Sequence, residues 1–220
     1  MIASIADLVA FLKVFHRHWL EDPSLNAALI PADLPPGMAT IYRELGALVE
    51  IEPGRNNDWH APFAAQDALL PLSRLKWIDA MVEFACENQD NWFARCPIGQ
   101  ADPPVYSDAA DVWEPVPRGF VAVCDSLNHF LTTLCLQEAV MGSRYLLALH
   151  TDLAANQVLT VPLEPLWLNG YYVDGEPRHH FFASRDRDVL VMDHAGTWVA
   201  SPIREVTGLV AHGIRVQAIH

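Results

Sequence analysis

Basic residues are scarce in this chain. Its 220 residues include 14 Lys and Arg against 27 Asp and Glu, a net charge of −13 with histidine neutral. That balance argues against sequence-general nucleic-acid binding, because neutralising phosphates takes clustered cations. Cysteine is sparse too. Cys86, Cys96, Cys124 and Cys135 contain no CxxC pair and are too few for a disulfide scaffold. They read as reduced core thiols, which suits a reducing cytoplasm. No apolar run reaches the roughly 18 residues a membrane-spanning helix needs. The apolar opening from Met1 to Leu20 has no basic flank, is interrupted by Asp7 and leads to no small-residue cleavage site, so it is not read as a signal peptide. Glycine and leucine show no period, which argues against collagenous and repeat architectures. GxSxG, GxxxxGK[ST], GxGxxG and HExxH are all missing, and with them the familiar hydrolase, nucleotide and zinc-protease signatures.

Apolar residues are plentiful: 51% of the chain, with a mean hydropathy of +0.12. That is enough to offset chain entropy and exclude a disordered tail. A chain of 24.5 kDa fits one domain, burying roughly 70% of its unfolded surface. Histidine is also abundant. Ten protons added to −13 leave −3, so association driven by negative charge weakens as pH falls towards about 6.

The apolar spacing predicts an amphipathic helix over residues 4–20, with Ser4 and Asp7 as a capping box. A second helix opens at Pro35-Pro36, with Met38, Ile41, Tyr42 and Leu45 facing inward and Gly46 as its C-cap. Residues 53–58 read as a polar loop. The period then shifts to two. Val82 to Glu87 reads as a half-buried strand, Asn88 to Asn91 as a turn, and Trp92 to Cys96 as the return strand. Val105-Tyr106 is a third strand, and Asp111 to Val116 a fourth, limited by Pro115 and Pro117. Asp125 or Ser126 caps a further helix with Leu127, Phe130, Leu131 and Leu134 buried. Strands are expected over 157–161, 166–173, 178–183, 189–193 and 197–200. Turns are expected at Asn169-Gly170, Asp174-Gly175 and Ala195-Gly196. A short helix over 203–211 precedes a last strand over 214–219. No Ser/Gly-rich linker divides the chain, so a single α+β domain over 1–220 is expected.

Four segments, in order, resemble the SUKH superfamily, the proteins related to fungal cell-wall-synthesis regulators of the SMI/KNR type. They are Leu34-Pro35-Pro36 running into Ile41-Tyr42-Arg43-Glu44-Leu45-Gly46; Phe84-Ala85-Cys86-Glu87-Asn88-Gln89 followed by Trp92; Asp102-Pro103-Pro104-Val105-Tyr106; and Leu127-Asn128-His129-Phe130-Leu131 after Trp113. Gln66-Asp67 is a weaker fifth. Asp90 departs from the pattern, standing where the family often has glycine; Asp fits there in a left-handed conformation. The resemblance covers about half of the chain. It implies an α+β fold with a central antiparallel sheet flanked by helices and a core over about 25–142; the C-terminal 80 or so residues carry no family motif, and their strand pattern reads as a β-rich extension over about 143–220. It also implies a non-catalytic protein, most members in bacteria being immunity proteins that bind and neutralise a toxin. No cofactor is implied.

The residues expected to meet such a partner are Glu87, Asp90, Asp102, Asp108, Asp111, Trp113 and Glu114. An acidic patch around an aromatic anchor suits a basic target such as a nuclease toxin. The bland reading is a hairpin turn at Glu87 to Asp90 and solvated loops elsewhere. Trp19 and Trp92 are in phase with apolar faces and read as core, whereas Trp59 follows a polar loop. A metal site is not expected: His179 and His180 fall on opposite faces of a strand, and His16 and His18 diverge on a helix. Cys96 and Cys124 read as inert thiols rather than nucleophiles. Asp186 and Asp188 read as neutralised by Arg185 and Arg187. An alternative of another class is an enzyme with its site in the C-terminal β region, built on His179, His180, His194 and Asp193. A third is a regulatory scaffold. The expected partner is thus a toxin domain, with no nucleic acid and no membrane.

Overall fold

The computed structural model describes residues 1–52, 61–112, 116–149, 155–170, 179–211 and 214–219. The architecture is α+β, with three helices longer than one turn and two six-stranded antiparallel sheets among the described residues. Helix α1 (Ile5–Phe15) opens as its sequence dictates. Ser4 Oγ accepts the Asp7 N–H, and the Asp7 carboxylate accepts from Ala3 N–H and Ser4 Oγ. It ends at His16, short of Leu20, because the chain turns there.

Helix α2 (Pro36–Val49) starts with proline at its first position. Gly46 is not its C-cap; Glu50 is. Gly46 lies within the helix, where a Cβ would stand 2.3 Å from Leu25 Cδ1. It is glycine because the segment before η-turn Ala27–Leu29 crosses there, with Leu25 N–H donating to Arg43 O. Helix α3 (Leu127–Met141) is capped by Ser126, whose Oγ accepts the His129 N–H. Its apolar stripe is buried as expected, and so is nearly every other residue to Val140.

The first sheet comprises β1 (Asp67–Leu69), β2 (Lys76–Ile78), β3 (Met81–Glu87), β4 (Phe93–Pro97), β5 (Val105–Ser107) and β6 (Val121–Cys124). Its order is β1-β3-β4-β5-β6, with β2 also pairing along β3. Two expectations need correction. Strand β3 is not half-buried: Val82 to Cys86 are all buried. Its alternating Glu83 is 2% exposed and is tolerated because Lys76 Nζ and Arg95 Nη2 each approach it at 2.8 Å. The strand that follows Val105–Ser107 among the described residues is β6, and the expected strand over 111–116 is described only in part. Ala109–Val112 forms a 3₁₀ turn, and residues 113–115 lie outside the described residues.

The second sheet comprises β7 (Tyr145–Leu149), β8 (Leu163–Gly170), β9 (His179–Ser184), β10 (Leu190–Asp193), β11 (Thr197–Ser201) and β12 (Val216–Ala218), ordered β12-β7-β11-β10-β9-β8. It supplies the β-rich C-terminal region. Leu146, Leu190, Met192, Ala200 and Phe181 face the main core with α3 and the first sheet. Leu147, Leu149, Val191 and Val199 fill a smaller core on the other face with Val158, Leu159 and Val206. Burial on both faces explains the unbroken apolar runs of β7 and β10. Residues 157–161 are not a strand: Ala155–Val158 is one helical turn, and Leu159 makes an isolated bridge to Val210. Residues 203–211 hold only the 3₁₀ turn Thr207–Leu209. Asn169-Gly170 ends β8 rather than turning. Gly170 pairs with His179, and a Cβ there would meet Thr133 Oγ1 at 2.9 Å. Ala195-Gly196 does turn, with φ of 50° and 120°. Asp174-Gly175, the loop at 53–58 and Trp59 fall outside the described residues.

Candidate functional site

The two sheets meet over the C-terminal half of α3, and a cleft of about 560 Å³ opens there. This lies within the range of small-ligand sites. Each part of the fold contributes. Asp67 comes from the start of β1, and Glu87 and Trp92 from the β3–β4 hairpin. Gln137 comes from α3, His179 from β9, and His194 and Trp198 from the β10–β11 hairpin.

Helix α3 organises the cleft through two adjacent polar residues. The buried Glu138 carboxylate accepts three backbone N–H groups: Ala65 at 2.6 Å and Gln66 at 3.0 Å on Oε2, and Asp67 at 2.9 Å on Oε1. This pins the strand entry that carries Asp67. Gln137 donates from Nε2 to Asp67 Oδ2 at 2.6 Å, and its Oε1 lies 3.2 Å from His179 Nε2. A carboxylate takes only donors, so the amide orientation is set, and His179 must carry hydrogen on Nε2 to bond Oε1. The His179 and His194 rings stack, with centroids 3.7 Å apart and planes at 14°. Trp198 Nε1 donates to His194 O at 3.2 Å, fixing the opposite wall. Burial beside Asp67 pushes the Glu138 carboxyl upward, and its three N–H donors oppose that shift.

The expected partner-binding residues separate. Glu87 lines the cleft, and its Oε2 accepts Gln89 N–H, Asn91 N–H and Asn91 Nδ2, holding the turn. Asp90 follows with φ 60°, the left-handed conformation its position requires, and lies 3.9 Å from Arg74. Asp108 accepts the Phe93 N–H at 2.7 Å, tying the 3₁₀ turn to the hairpin. Asp111 accepts the Arg118 and Gly119 N–H groups. Asp102 is elsewhere: it accepts from Ser126 Oγ and Asn128 N–H at the start of α3, beside a second groove walled by the first turns of α1 and α2. Trp113 and Glu114 fall outside the described residues. Trp92 is buried as expected, whereas Trp19 is half-buried.

His179 and His180 take opposite faces, His179 in the cleft at 2% exposure. His194 joins His179, so two of the three suspected C-terminal histidines meet and His180 does not. Asp188 is neutralised not by its neighbours Arg185 and Arg187 but by the more distant Arg204, at 2.8 Å. The four cysteines are buried free thiols. Burial holds Cys86 and Cys96 up at about 12, far from a reactive thiolate.

Sequence reasoning missed Gln137 and Glu138. One signal was present: Glu138 lies four residues after Leu134 and seven after Leu131, in phase with the apolar stripe, where a charge needs a buried partner. Among the described residues no three His, Cys, Asp or Glu side chains are placed to hold a metal, and no helix is long and apolar enough to cross a membrane. No protein-family model, curated protein or solved structure matches the chain.

Proposed function

We propose that this chain is a SUKH-type binding protein of the cytoplasm, an immunity protein that neutralises a cognate toxin by covering its active site. The observation that carries this reading is the cleft's composition. It is lined by two carboxylates, the half-buried Glu87 and the buried Asp67, with Trp92 and Trp198, and among the described residues no Lys or Arg lines it. With a net charge of −13, such a surface speeds encounter with a basic partner and offers Trp198 as an aromatic anchor once docked. The SUKH-like segments supply the frame. Pro36 opens α2, Phe84 to Glu87 build β3, and Asp102 joins the third segment to the fourth by capping α3.

The test is co-expression with the C-terminal domain of a secreted protein encoded beside this chain. A stoichiometric complex that abolishes that domain's activity, and weakens with added salt, supports the reading. No complex, with the toxin domain folded and active, refutes it; a salt-independent complex removes the electrostatic part.

A second reading rests on His179 and His194 meeting in the same cleft. Paired imidazoles beside Gln137 and Asp67 suit proton transfer on a small bound molecule. Turnover of a cleft-bound metabolite that is lost in His194→Ala would favour this enzyme reading over the first.

A further inference from the structure

The cleft has two features that call for one kind of occupant. Its lining includes two indoles, the buried Trp92 and the half-buried Trp198, beside Val112, Met141 and Met192, and its charged lining among the described residues is Asp67 and Glu87. The three hydrogen bonds accepted by the Glu87 carboxylate all reach Oε2, which leaves Oε1 without a protein partner among the described residues. The nearby cation Arg74 is 3.9 Å from Asp90, which does not line the cleft. An apolar ligand would bury these carboxylates against it at high cost, and an anion would be repelled by them. A flat cation satisfies both features, because a guanidinium stacks on indole and forks onto carboxylate oxygens.

We propose that the cleft is the seat of an arginine side chain from the partner protein, stacked against Trp198 and paired with Glu87, with the buried Asp67 behind. The proposal deepens the binding-protein reading and rests on it for the source of the arginine. Its recognition chemistry stands on the cleft alone. Arginine fits better than lysine because a compact ammonium uses one carboxylate and gains less from a ring face. The groups that face the guanidinium are Asp67 and Glu87 from the first sheet and His179 and His194 from the second, with Glu138 behind Asp67 on α3.

The experiment titrates the purified chain with N-acetyl-arginine amide and, separately, with N-acetyl-citrulline amide, its uncharged analogue. Indole N–H resonances of Trp92 and Trp198 report binding. Saturable shifts with the arginine probe are expected, with citrulline at least about tenfold weaker. Glu87→Gln should weaken the arginine probe about tenfold. Because Glu87 also holds its turn, Ala195→Lys serves as a second variant. Ala195 is exposed, already has φ 50°, and lies on the cleft rim. Its lysine should block the probe without changing the melting temperature. Glu21→Gln, exposed and away from the cleft, should change nothing. Absence of saturable binding, equal affinity for citrulline, or unchanged binding by folded Ala195→Lys would overturn the proposal. A toxin neutralised equally by wild type and Ala195→Lys would overturn it while leaving the immunity reading intact. Probe binding without any toxin complex would do the reverse.

Discussion

Acid should destabilise this protein through His16. Its ring is 2% exposed, packed edge-on to Phe15 at 5.2 Å and against Phe63 at 5.8 Å. Neither ring nitrogen has a hydrogen-bond partner among the described residues. Burial, and secondarily the nearby His18, lowers its pKa from 6.5 to about 3. The folded state therefore refuses a proton that the unfolded chain accepts. Stability from this group is complete above the unfolded value of 6.5 and is lost as pH falls towards 3. The loss at pH 5 is about 2 kcal/mol, and at pH 4 about 3 kcal/mol. The perturbation is His16→Leu, which keeps the packing and removes the titration. Urea unfolding of both proteins at pH 7.5 and pH 5 measures the difference. Wild type should lose about 2 kcal/mol more than the variant over that interval, or about 4–8 °C in melting temperature for a chain of this size. At pH 7.5 the variant should be at least as stable, since two partnerless buried nitrogens are gone. If both proteins lose the same stability between the two pH values, His16 does not carry the acid sensitivity and the reasoning fails.

Two further outcomes follow from the core. Glu138→Ala orphans three backbone N–H donors at once, and at about 1–3 kcal/mol for each buried donor, moderated where water reaches Ala65 and Gln66, the loss should be about 3–5 kcal/mol. Urea unfolding measures it, and Glu138→Gln should recover part of it by keeping an acceptor. Gly142→Ala should destabilise by about 2–3 kcal/mol in the same assay. Its Cβ would stand 1.9 Å from the Ala61 carbonyl oxygen, a backbone atom that cannot swing aside. Gly46→Ala should be milder, because its obstacle is the tip of Leu25.

The sequence by itself determined whatever depends on neighbours three or four residues away. Ser4 with Asp7 and Ser126 started α1 and α3, because an N-cap is satisfied by the first turn it caps, and Pro36 started α2, because its fixed φ suits the first helical position. Asp90 and Ala195-Gly196 made their hairpin turns for the same local reason. The α+β class followed from the change of period. Local pattern failed where partners were remote. Glu83 alternates like a solvent-facing residue, yet it is buried because Lys76 and Arg95 arrive from the flanking strands β2 and β4. Asn169-Gly170 looks like a turn, yet the glycine is there to let β8 approach Thr133 on α3. The strands β1, β2 and β7 carried too short or too uniform a pattern to be read.

The cleft was decided by tertiary structure alone. Gln137 reaches Asp67 across 70 residues of sequence, Glu138 reaches the Asp67 N–H across 71, and His179 meets Gln137 across 42. No spacing rule spans such distances. What joins these groups is the burial of α3 between two sheets, which obliges its polar side chains to find partners on both.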